Sequence, residues 1–121
     1  MSIEYADPQI DYKELEKAKT INVVDLIEYV SNSTVCRTIL KRLTGNISVM
    51  SFDYGKGVSV KALPFDLFMQ IIEGRAEIAI DNVSKVLDSG QGIIVPAHTP
   101  HFIKPGSRFK MLTTIIKSGY E

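Results

Sequence analysis

Two histidines, His98 and His101, stand three residues apart in Gly90-Gln-Gly-Ile-Ile-Val-Pro-Ala-His-Thr-Pro-His101, and the chain holds no others. A neutral imidazole can take a proton from a ligand or hydrogen-bond an oxygen, and an imidazolium can hold an anion. If the two rings converge they could transfer protons, or form the core of a metal site completed by Asp66, water or a neighbouring subunit. The segment between them is extended and interrupted by Pro100, so their spacing does not by itself make them converge. His98 falls at a turn, from which it reaches either solvent or a cavity mouth. Asp66, in Ala-Leu-Pro-Phe-Asp-Leu-Phe-Met-Gln70, could accept a ligand's proton or cap a turn. Cys36 is the sole cysteine. It can form no internal disulfide and belongs to no thiol cluster, and its apolar setting in Val-Cys-Arg-Thr-Ile-Leu reads as a buried small hydrophobe.

Other chemistries find no support. No Ser, His and Asp are spaced as in a nucleophile elbow, and the glycines around Gly55 and Gly90 lack the flanking pattern of a phosphate cradle. Fourteen Lys and Arg balance fourteen Asp and Glu, leaving no excess positive field for nucleic acid or anionic lipid. Lys104, Arg108 and Lys110 form an interrupted basic group that reads as a solvated face, and Arg37 and Tyr54 read as structural or rim residues. No run is apolar and long enough to span a bilayer, and the first residues lack an export signal, so a cytoplasmic protein is expected. The Asn-x-Ser/Thr matches at Asn32, Asn46 and Asn82 carry no weight without a secretory route.

A length of 121 residues, 45% apolar and 23% charged, suits one folded domain with one core. The first twenty residues are polar, with Lys-Glu-Leu-Glu-Lys-Ala-Lys19 able to form a helical turn or two. Ile21–Val30 suits either an extended segment or a short helix. From Val35 onward, short apolar or alternating runs recur between Gly-, Asp- and Asn-rich turns, the pattern of an all-β sheet folded on itself. Asp81-Asn82 predicts a tight hairpin between Arg75–Ile80 and the strand after it. Gly74 predicts another reversal. Alternation puts Leu67, Met69 and Ile71 on one face and Gln70 on the other.

The Gly90–Pro96–His101 spacing resembles the second motif of the cupin superfamily, small single-domain barrels of the conserved-barrel kind, with the likeness covering about Val35 to Lys117. His98 stands where the family has Gly, and Pro105 where it has Asn. The resemblance implies an all-β, double-stranded β-helix (jelly-roll) barrel over 35–117, with an N-terminal arm over 1–34 that pairs with the barrel or a partner subunit and a tail over 118–121. It also implies that His101 points into the barrel. Aligning the family's first motif on Gly74 puts Lys61 and Leu63 at its two His ligand positions and Leu67 at its carboxylate position. Leu offers no lone pair and a protonated Lys none, so a metal-dependent activity inherited unchanged is not expected.

The expected protein is therefore a homodimeric barrel without a metal cofactor that binds a small organic ligand, a carboxylate or an apolar aromatic molecule. Lys61, His101, His98 and Asp66 are its candidate ligand contacts, and Leu63, Leu67 and Met69 line its cavity. Lys61 could hold a carboxylate, enolate or phosphate oxygen, or snorkel to the rim. Two alternatives stay open. One is a cupin isomerase or dioxygenase with a divalent transition metal shifted onto His98 and His101. The other is a structural or regulatory interaction protein with a filled interior.

Overall fold

The computed structural model describes residues 9–53, 57–60, 62–104, 106–117 and 119; the expectations for Tyr54, Lys61 and Pro105 lie outside the described residues. In chain order the strands are β1 (Gln9–Asp11), β2 (Thr34–Arg42), β3 (Gly45–Phe52), β4 (Val58–Val60), β5 (Asp66–Ile80), β6 (Val83–Asp88), β7 (Gly92–Val95), β8 (His101–Ile103) and β9 (Phe109–Ile116). They lie in the order β1-β2-β3-β9-β5-β8-β4, with β6 and β7 also paired to β5. β1 runs parallel to β2, and the other pairings are antiparallel. This is the expected all-β jelly roll. No helix among the described residues is long and apolar enough to cross a membrane.

β5 folds the sheet over on itself. Its first part pairs with β9 and β7, and its last part, from Arg75, pairs with β6 and β8. The reversal expected at Gly74 does not occur. The strand runs through Gly74 with a register shift between Ile71 and Glu73. Gly74 has φ +82°, and a Cβ there would stand 2.5 Å from the Arg108 carbonyl oxygen. A positive-φ glycine serves a β-bulge as well as a turn; here the bulge bends one long strand from one side of the barrel to the other. The Asp81-Asn82 reversal does form, both residues having positive φ (50° and 65°) and Ile80 pairing with Val83, as a tight two-residue turn requires.

Strand alternation places the core. Leu67, Met69 and Ile71 are buried, while Phe68 between them is exposed. Met111 and Val49 are fully enclosed, and Phe52 stacks on Phe109 with ring centroids 4.6 Å apart.

The N-terminal segment departs from the expected helix at 13–19. Leu15 N–H donates to the Ile39 carbonyl, which ties this stretch to β2 in place of its own helical bonds, and Glu16 pairs with Lys19 at 3.0 Å. A single 3-10 turn forms at Val23–Leu26, followed by chain that crosses the outer face of the sheet. Three side chains of that face satisfy alternate carbonyls of the crossing chain: Lys110 donates to Val24 (2.8 Å), Arg37 to Leu26 (3.0 Å) and Ser51 to Glu28 (2.9 Å). Covered backbone must find such partners. Lys110 is therefore buried, not part of a solvated basic face. Its ammonium lies 5.2 Å from the centre of the Tyr29 ring, and Tyr29 donates to Glu73 at 2.6 Å.

Candidate ligand-binding site

β8 carries His101 inward because its residues alternate, His101 and Ile103 buried and Phe102 between them less so. The strand is held on both sides, His101 pairing with Val60 of β4 and Ile80 of β5. The turn before it is pinned at its base. His98 N–H donates to the Leu63 carbonyl at 2.6 Å, and the Asp66 carboxylate accepts from Ala97 N–H at 2.8 Å. Asp66 thus caps the turn that delivers β8. His98 has φ +63°, the left-handed backbone a glycine would adopt without strain, and its side chain is exposed.

His101 lines an interior cavity of about 250 Å³. Leu63, Leu67 and Met69 line it too. His98 and Asp66 are not among the lining residues, so the two imidazoles are not brought together there. Lys61 lies outside the described residues. His101 also borders a groove of about 440 Å³ near Ser59, Ala79 and Asn82.

The sequence reading missed much of the wall. Met50 and Ser48 of β3, Met111 and Thr113 of β9, and Cys36 of β2 all face the cavity. Their signal was the same alternation used for β5. Once Met69 is inward, its partner Thr113 is inward by register, and so are Met111 and Ile115 two residues either side.

The cavity is electrically quiet. Burial pushes the His101 imidazole down to about 4, so the ring is neutral near pH 7. Its Nδ1 is buried with no hydrogen-bond partner among the described residues. Burial pushes the Cys36 thiol up, with a Ser48 hydrogen bond opposing, so it stays protonated and a poor nucleophile. The described lining includes no Lys, Arg, Asp or Glu.

These donors do not fit the metal centre that the cupin resemblance implies. Transition metals need several converging N, O or S atoms. Among the described residues no three His, Cys, Asp or Glu side chains could hold a metal together. Leu63 and Leu67 contribute only hydrocarbon, the Asp66 carboxylate is engaged at Ala97, and His98 faces outward.

No family sequence model matches the chain, and no curated protein sequence does. Solved structures do. A conserved protein of unknown function from Streptococcus pyogenes is similar at 29% identity over 88% of this chain and 95% of its own, with a TM-score of 0.79. A cupin superfamily protein from Desulfitobacterium hafniense is likewise 29% identical over 88% of this chain and 97% of its own, with a TM-score of 0.75. A cupin 2 conserved barrel domain protein from Leptotrichia buccalis is 24% identical over 80% of this chain and 47% of its own, with a TM-score of 0.74. Near-complete coverage by structures of this kind, two of them 29% identical, together with the jelly-roll topology and the inward His101, shows that the chain has the cupin fold, that of a single conserved-barrel domain.

Proposed function

We propose that this barrel binds a small organic molecule in its interior cavity, and that the family's metal site has degenerated into the polar end of that cavity. One observation carries the reading: His101, 6% exposed, is kept polar in an apolar wall although its Nδ1 has no hydrogen-bond partner among the described residues. A buried ring nitrogen without a partner, whether it donates or accepts, costs about 1–3 kcal/mol. That cost is sensible where an occupant supplies the missing bond. Leu63, Leu67 and Met69 form apolar wall, and the space of about 250 Å³ exceeds the roughly 150 Å³ that holds a benzene ring.

The barrel acts as a homodimer in this reading. Phe68, Ile94 and Ile116 are 39%, 62% and 57% exposed. Phe68 and Ile94 are cross-strand partners, and Ile116 lies on the next strand over. Clustered apolar surface of this kind marks interaction sites.

Elemental analysis of protein purified without a chelating tag, before and after incubation with iron, manganese, nickel and zinc, tests the degenerate-site reading. The expected metal content is far below one per chain in both conditions. One firmly held metal per chain, lost on His101→Ala, would overturn it.

A further inference from the structure

The class of ligand follows from the atoms around the cavity, on the premise that the cavity is a binding site. The chain has four methionines and one cysteine. Apart from Met1, all of them line this cavity: Met50, Met69, Met111 and Cys36. Register accounts for the clustering. Cys36 pairs with Met50 across β2 and β3, Met50 pairs with Met111 across β3 and β9, and Met69 sits one inward row further along β5. Thioethers are polarizable, adapt their rotamers to an occupant, and make favourable contacts with aromatic rings.

Cu(I) also favours such soft donors. Coordination, however, draws sulfur ligands to roughly 2.3 Å from the metal. An open volume of about 250 Å³ is far more than one ion fills.

Charge narrows the class further. The described lining has no cation at neutral pH, and an ionised carboxylate buried without one costs more than a single hydrogen bond returns. A neutral imidazole instead suits a neutral partner, offering one lone pair and one N–H. Among the described residues no hydrogen bond at Nδ1 opposes rotation of the ring toward an occupant.

We propose that the cavity takes a neutral aromatic molecule carrying one hydroxyl or ring N–H, of the phenol or azole class, with its ring among Met50, Met69 and Met111 and its polar group on the His101 imidazole.

Four probes of matched size separate the parts of this proposal in calorimetric titrations of the full chain at pH 7: p-cresol, toluene, p-toluate and 4-methylcyclohexanol. The expected result is binding of p-cresol about tenfold tighter than toluene, the worth of one buried hydrogen bond. 4-Methylcyclohexanol should bind several-fold more weakly than p-cresol, and p-toluate should not bind. His101→Leu should equalise p-cresol and toluene. His101→Gln, which keeps an acceptor and a donor, should retain part of the preference and serves if the Leu variant does not fold. Tighter binding of p-toluate than p-cresol would overturn the neutral class while leaving the cavity as a ligand site. Equal binding of p-cresol and toluene would overturn the role of His101, and equal binding of p-cresol and 4-methylcyclohexanol would overturn the aromatic class. Binding of none of the four would overturn the cavity reading itself.

Discussion

Met69 and His101 line one cavity from opposite sides of the fold, Met69 on the part of β5 paired with β9 and β7, and His101 on β8, which pairs with the far end of the same strand. A single long strand therefore fixes the apolar wall and the polar end relative to each other. Changes that disturb β5 should disturb the cavity even when they lie outside it.

The bend in β5 depends on Gly74. Gly74→Ala places a Cβ 2.5 Å from the Arg108 carbonyl oxygen at a φ of +82°. The variant should be destabilised by about 2 kcal/mol or more, read as a lower urea midpoint. An unchanged midpoint would mean that the bulge relaxes freely.

Protonation of His101 should weaken the fold on the acid side. Its folded-state value is depressed to about 4, against about 6.5 in an unfolded chain. The unfolded state therefore binds more protons between these values, and stability falls as pH drops through that window. Unfolding titrations should show a loss from this group of at most about 2 kcal/mol between pH 7 and pH 5. The proton-NMR signal of the ring should not titrate between pH 6 and 8. A midpoint near 6.5 would show that the ring is solvated.

Lys110 should clamp the crossing chain. Lys110→Met keeps the stem's packing but removes the bond to the Val24 carbonyl, the ion pair with Glu73 at 3.7 Å and one of the two cations over the Tyr29 ring, leaving Arg108 in place. Amide exchange across 22–30 should quicken at least several-fold, with strands β3 and β9 little changed. Equal protection in both proteins would show that the segment is held without Lys110, with burial of Ile27, 5% exposed, among its remaining anchors.

A charge on the outer face should block self-association. Ile94 is 62% exposed beside Phe68. Sedimentation of Ile94→Lys should give a monomer where the parent gives a dimer, with no loss of thermal stability in the barrel. A monomeric parent would contradict the dimer.

Much of this fold is legible because strands announce themselves by alternation and turn chemistry. Asp81-Asn82 could be read directly, since two adjacent residues tolerant of positive φ have few other uses. Gly74 could not, because the same backbone freedom serves a turn and a bulge, and the choice depends on Arg108 and Phe109, far away in sequence. Lys110 looked like surface for a related reason: its burial is created by residues 24–29, more than eighty positions earlier. In the cavity, Leu67 and Met69 were legible because one resemblance fixed the inward face of β5. Met50, Met111 and Cys36 needed the register of four strands.

The central claim is that the polarity of His101 serves an occupant and not the fold. Urea unfolding of His101→Leu without ligand tests it most directly. The variant should be at least as stable as the parent, by up to about 1–2 kcal/mol, because a buried ring nitrogen with no partner among the described residues is removed, and the loss of stability between pH 7 and pH 5 should shrink with it. A variant less stable at pH 7 by more than about 1 kcal/mol, the worth of a satisfied hydrogen bond, would contradict it and make His101 part of the framework.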